Sequence, residues 1–127
     1  MPQGTPHRIL IVDDDEFSLR LMEKYLVAAG YVVAKARDGA QALTLLSRED
    51  FDLLITDLSM PRIGGVRLLQ EVRKRWTIPA IVVTASDIDS GAQRSSLAAG
   101  ALTFMVKPLD REELLDTVES ALGKAGS

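Results

Sequence analysis

The chain has no cysteine, and that single absence removes disulfide staples, thiolate zinc sites and cysteine nucleophiles. It has one histidine, His7, set close behind Pro2, Gly4 and Pro6. In such an arm it reads as an exposed bystander, not a general base. Long apolar runs are missing too: the longest are strand-length, roughly four to six residues, where a membrane-crossing helix needs ~20. Residues 1–7 also lack the apolar segment of a secretory signal, so a cytoplasmic location is expected. A basic stripe is wanting as well. The formal charge of -3 is mild and well mixed, which argues against direct nucleic-acid binding. What remains is 127 residues, 46% apolar and 26% charged, the balance of a globular chain with room for one domain.

Short apolar runs alternate five times with stretches of helical period, which predicts a parallel sheet with crossover helices. The expected strands are 8–12, 31–36, 51–56, 79–84 and 102–106. The first helix is expected over 16–29, with Asp15 as its cap, Phe17, Leu21, Tyr25 and Ala28 as its inward stripe, and Gly30 as its stop. Asp38 caps a second helix reaching Arg48, with Ala42, Leu45 and Leu46 inward. A third runs over 66–75. The fourth, over 88–99, is diluted by Ser90, Gly91, Ser95 and Ser96. Asp110 caps the last, which places Leu114, Leu115, Val118 and Leu122 at helical spacing. The expected organisation is a flexible arm over 1–7, one domain over 8–122, and a tail or linker stump over 123–127.

In an open parallel sheet the ligand site lies beyond the carboxyl ends of the strands, where strand order reverses. Strand one ends in Asp13-Asp14-Asp15, strand three in Asp57, strand four in Thr84 and strand five in Lys107. Three carboxylates at one rim repel one another unless a cation sits between them, and hard oxygen ligands suit magnesium. For Asp14 and Asp57 to share an ion, strands one and three must be neighbours, which gives the order 2-1-3-4-5. A metal-bound carboxylate beside a lysine and a hydroxyl suits phosphoryl transfer, which needs an in-line nucleophile and positive charge on the equatorial oxygens. Asp57 is the expected nucleophile, forming an aspartyl phosphate, with Lys107 and Thr84 holding phosphoryl oxygens.

The run Ile11-Val12-Asp13-Asp14-Asp15, the segment Asp57-Leu58-Ser59-Met60-Pro61 with Gly65, Thr84-Ala85, Ala99-Gly100-Ala101 and Lys107-Pro108 together resemble the receiver domains of two-component response regulators. The resemblance spans about Arg8 to Leu122. It implies a flavodoxin-like (βα)5 three-layer sandwich and a Mg2+-dependent phosphorylation switch, regulatory rather than enzymatic. It also implies that Asp14 and Asp57 bind the metal directly, Asp13 through water and Ser59 through its backbone carbonyl. Thr84 resembles the switch hydroxyl and Phe104 the switch aromatic; Ser59 and Ser86 stand where the family tunes hydrolysis of the phosphoryl group. Lys107-Pro108 resembles the family's cis peptide.

The implied phosphodonor is a sensor histidine kinase or histidine phosphotransfer protein. The implied output is a change at the face of the fourth helix, fifth strand and last helix, read by a downstream protein or effector domain, with the chain a monomer or a weak phosphorylation-induced dimer. Two positions depart from the pattern. Gly64 replaces a small polar residue, a loss of only a few tenths of a kcal/mol as a cap, and Phe104 stands where the family also uses Tyr.

Blander readings exist for each motif. An Asp-Asp-Asp turn is most often a cap and solvated loop, and Asp15 fits that reading better than metal binding. Lys107 alone could be a surface lysine, and Thr84 or Phe104 mere strand packing. Met60, Met105 and Trp76 read as packing or surface residues. At the level of function, a receiver fold used only for docking, independent of phosphorylation, is the alternative. A magnesium phosphatase would carry a second aspartate where Ser59 stands.

Overall fold

Alternation along the strands decides the architecture. In the computed structural model, which describes residues 6–58, 64–84, 94 and 97–126, five strands form one parallel sheet: β1 (Arg8–Val12), β2 (Val32–Ala36), β3 (Leu53–Asp57), β4 (Ala80–Thr84) and β5 (Thr103–Val106). Successive side chains on a strand point to opposite faces, and both faces here are apolar. Ile9, Ile11, Leu53, Ile55, Ile81, Val83 and Met105 face one way; Leu10, Val12, Leu54, Ala80 and Val82 face the other. Such a sheet must be covered on both sides.

The first face is covered by α1 (Glu16–Ala28) and the C-terminal helix (Arg111–Gly126), through Leu19, Met22, Leu26, Leu114, Val118, Ala121 and Leu122. The second is covered by α2 (Gly39–Arg48) and α3 (Gly65–Arg75), through Ala42, Leu46, Leu68, Leu69 and Val72. This is a three-layer sandwich. The strand order is β2-β1-β3-β4-β5, so the chain reverses direction across the sheet between β1 and β3.

The helix ends follow the expected caps. Asp15 accepts from the Ser18 N–H at the start of α1, Asp38 from Gln41 at α2, and Asp110 from Glu113 at the C-terminal helix. Gly30, with φ 98°, takes the left-handed conformation just past α1. The inward stripe of α1 is a correction. Phe17 is 71% exposed and Ala28 is exposed, whereas Ser18, Leu19, Met22 and Leu26 are buried. Leu19, Met22 and Leu26 also recur at helical spacing, so two stripes compete, and it is this second set that packs in the core with the inward residues of β1 and β3. The C-terminal helix runs on to Gly126, past the Leu122 expected as its end. Of the helix expected over 88–99, residues 94, 97 and 98 are helical and most of the rest lie outside the described residues.

Candidate phosphoacceptor and metal site

Sheet register builds the site. β1 pairs with β3 so that Val12 faces Thr56, which leaves Asp13 and Asp57 side by side one residue further on. β3 pairs with β4 so that Asp57 faces Val83, putting Thr84 just beyond it. β4 pairs with β5 as Thr84 to Val106, and the next N–H, that of Lys107, donates to the Thr84 carbonyl at 2.7 Å. Four strand ends thus deliver Asp13, Asp57, Thr84 and Lys107 to one rim by backbone pairing alone.

Asp13, Asp14 and Asp57 each offer a carboxylate oxygen, and these oxygens lie within 4.8 Å of one another. Asp13 is wholly buried and Asp57 retains 8% of its surface, while Asp14 is exposed, so the cluster opens to solvent past Asp14. The Lys107 ammonium donates to Asp13 at 2.8 Å, and a second Asp13 oxygen accepts from the Asp15 N–H at 2.9 Å. Three carboxylates and one cation leave a surplus of negative charge. Burial, and then the charge of Asp13, push the Asp57 carboxyl up to about 6, against the pull of Lys107 and the Leu58 N–H; Asp14 adds a further rise. Burial would lower the Lys107 pKa, but the hydrogen bond to Asp13 and the charges of Asp57, Asp13 and Asp15 outweigh it, so the amine stays cationic.

Three hard oxygen donors this close, incompletely neutralised, fit the ligand set that magnesium takes. Close packing beneath them holds the end of β3. A Cβ on Gly65 would lie 2.3 Å from the Asp57 carbonyl oxygen, so α3 begins against the strand end only because this residue has no side chain. Gly64 is the cap of α3 and supplies no side-chain bond, as expected.

Asp13, Asp14, Asp57, Thr84 and Lys107 come together at this rim as the sequence predicts. Phe104 is half-buried on β5, packed on the α2 and α3 side of the sheet. Ser59 and Ser86 lie outside the described residues, as do Met60, Pro61 and Ala85. The Lys107-Pro108 peptide is cis. The sequence did not indicate the Asp13–Lys107 ion pair. The two strand ends reach the same rim, but β3 and β4 lie between them, so adjacency alone would not have suggested it. Asp15 is a cap, as the bland reading had it.

The family model of the response regulator receiver domain matches residues 9–119. The chain is 41% identical over 110 residues to the transcriptional regulatory protein YrkP of Bacillus subtilis, covering 85% of this chain and 46% of that one. It is 34% identical over 122 residues to the protein PetR of Rhodobacter capsulatus, covering 96% and 51%. Among solved structures, a CheY-like receiver domain protein of Methanospirillum hungatei superposes with a TM-score of 0.90 at 30% identity, covering 96% of this chain and 98% of that one. The chemotaxis response regulator CheY4 of Vibrio cholerae superposes at 0.85 with 29% identity, covering 92% and 99%.

In fold and in the acidic residues at its rim, the protein is a signalling domain built on a five-stranded parallel sheet. The chain belongs to the response regulator receiver domain family of two-component signalling. It spans about half the length of the first curated relatives it matches. Among the described residues, no helix is long and apolar enough to cross a membrane.

Proposed function

We propose that Asp57 is the phosphoryl acceptor of a magnesium-dependent switch. The observation that carries this reading is the meeting of Asp13, Asp14 and Asp57 within 4.8 Å at the strand ends, with Lys107 bonded to Asp13 beside them. An Asp57 oxygen attacks phosphorus, and the Oδ–P bond forms as the P–N bond to the imidazole of a phosphohistidine donor breaks. Asp14 and Asp57 would be the direct ligands of Mg2+ and Asp13 one acting through water, with the Ser59 carbonyl as a further ligand. Magnesium bound there supplies positive charge for the phosphoryl oxygens. Lys107 pairs with a phosphoryl oxygen, leaving Asp13 partly released, and the Thr84 hydroxyl donates to another. Burial of Asp57 limits the water that could hydrolyse the product, and Ser59 and Ser86 tune that step.

The donor is a sensor histidine kinase or histidine phosphotransfer protein. The output is a population shift: Thr84 moves toward the phosphoryl group, Phe104 follows, and the face that includes β5 and the C-terminal helix changes shape for a downstream protein or effector domain. Residues 8–122 are the receiver, with an arm over 1–7 before it and a tail or linker stump over 123–127 whose first residues continue the C-terminal helix. The test is intact-mass spectrometry after acetyl phosphate with Mg2+, together with beryllofluoride titration. One phosphoryl adduct is expected on the wild type and none on Asp57→Asn. An adduct of equal yield on Asp57→Asn, or none on either protein, refutes the assignment.

A further inference from the structure

At the opposite rim, where the strands begin, α3 ends in Arg73, Lys74 and Arg75, and the chain turns through Trp76 into β4. There a cavity of about 560 Å3 opens, lined chiefly by Leu69, Trp76, Ile78, Leu97 and Leu102, with Arg73 at its edge. Leu97 is 43% exposed and Leu102 41% exposed. Arg73 also borders a second depression, shared with Lys74, Gln70, Ala98 and Ala99. The two hollows therefore flank the same arginine. Among the described residues, no acidic side chain lines either of them.

The cations here are underused. Arg73 donates to the Ala98 carbonyl at 3.2 Å, which ties α3 to the turn ending at Gly100. Arg75 stacks on the Trp76 ring at 4.8 Å. Among the described residues neither is in an ion pair, and Lys74 has only the loose, exposed contact with Glu71 at 3.6 Å. Cations in the last helical turn suit the helix dipole. That accounts for their place on α3, but not for the apolar side chains left in solvent beside them. In a chain of net charge -3, an apolar hollow bordered on its α3 side by Arg73 and Lys74 is a local reversal of sign, although Leu102 also borders a depression that holds Asp116. Tryptophan and arginine at the edge of an exposed apolar patch are the residue types that anchor partners.

We infer that this groove docks an acidic segment of another polypeptide that carries apolar side chains, the carboxylates meeting Arg73, Lys74 and Arg75 and the apolar groups meeting Trp76, Leu97 and Leu102. The surface lies at the far end of the strands from Asp57, so it is separate from the acceptor chemistry.

Trp76 is the sole tryptophan, which makes its emission a direct report on the groove. The experiment titrates the full chain with a short tryptophan-free peptide of alternating glutamate and leucine blocks, and with the same peptide bearing lysine for glutamate. The expected result is a saturable shift in Trp76 emission with the glutamate peptide alone. Binding should weaken on the order of tenfold in the Lys74→Glu/Arg75→Glu protein and on raising the salt concentration. Both positions are exposed, so an unchanged urea midpoint certifies the fold of that variant. Leu102→Ser provides a second, uncharged test and should also weaken binding. An equal response to both peptides, no response to either, or affinity untouched by both variants overturns the inference. So does emission that shifts with protein concentration alone as the mass doubles, since the occupant would then be a second copy of the chain.

Discussion

Replacing the carboxylate proposed as acceptor should make the metal-free protein more stable. In the folded chain Asp57 is pushed from 3.8 to about 6, first by burial and then by Asp13. At about 1.4 kcal/mol per tenfold change in proton affinity, holding it ionised costs folding about 3 kcal/mol. Because the folded state binds this proton more tightly than the unfolded chain, stability falls as pH rises from about 4 to about 6, and this contribution is flat above that. A salt-bridged carboxylate gives the opposite slope. Asp57→Asn keeps the shape and removes the charge, so at pH 7 without metal it should gain up to about 3 kcal/mol and lose that part of the pH dependence.

Added Mg2+ favours the ionised carboxylate, and should stabilise the wild type, by about 2.7 kcal/mol at a hundredfold excess over its dissociation constant, while leaving the variant nearly unmoved. Urea unfolding followed by Trp76 emission in EDTA, from pH 4.5 to 7.5 and then with Mg2+, measures both effects. A variant less stable than the wild type in EDTA at pH 7, or one with an identical pH slope, would refute the reasoning.

Four further outcomes follow from the same geometry. Lys107→Ala removes the cation bonded to the buried Asp13; it should shift stability the other way, by roughly 1–3 kcal/mol, in the same urea experiment. Asp14→Ala, at an exposed ligand, should abolish the Mg2+-induced rise in unfolding midpoint while leaving the metal-free midpoint no lower. Gly65→Ala would put a methyl group 2.3 Å from the Asp57 carbonyl; thermal unfolding should show a loss of more than about 1 kcal/mol, and acetyl phosphate labelling should slow as the strand end shifts. Phe17→Ala, at a 71% exposed side chain, should leave the urea midpoint within about 0.5 kcal/mol of the wild type, whereas Met22→Ala should cost about 2–5 kcal/mol.

That last contrast marks where the sequence was legible and where it was not. Strand order could be reasoned out because Asp14 and Asp57 need each other's company, and the sheet is indeed β2-β1-β3-β4-β5. Caps at Asp15, Asp38 and Asp110 were readable because a side-chain acceptor before an amphipathic run has few other uses. The phase of α1 was not readable, because Phe17-Leu21-Tyr25 and Leu19-Met22-Leu26 are both apolar at helical spacing, and only the fit against β1 and β3 chooses between them. The Asp13–Lys107 pair was likewise hidden, since the two residues lie 94 apart and their contact depends on side-chain reach past the two strands between β1 and β5, not on register alone. The groove at the other rim was invisible for a related reason: Trp76, Leu97 and Leu102 look like ordinary packing residues until the fold leaves them beside a basic helix end.

The acidic rim is a cost the fold carries for its chemistry. Nothing about covering a parallel sheet requires Asp13, Asp14 and Asp57 to converge, and burial of like charges is unfavourable without a counter-ion. The convergence is tolerated because the strands beneath are held by apolar side chains on both faces, so repulsion at the strand ends cannot relax by unpairing them. On the proposed chemistry, that same rigidity makes the switch responsive. A phosphoryl group on Asp57 adds charge where the backbone cannot yield, and the response must fall on side chains and on the elements that follow the strands: Lys107, shared with Asp13; Thr84, buried at the end of β4; and the segment leading from Thr84. A domain with a looser sheet would dissipate the same charge locally, so softening mutations beneath the rim, such as Ile55→Ala, should weaken the coupling between Asp57 modification and the β5 face more than they weaken modification itself. Chemical shifts at Thr103–Val106 on beryllofluoride binding, compared with adduct yield by mass, measure the two separately, and equal loss of both would refute this account.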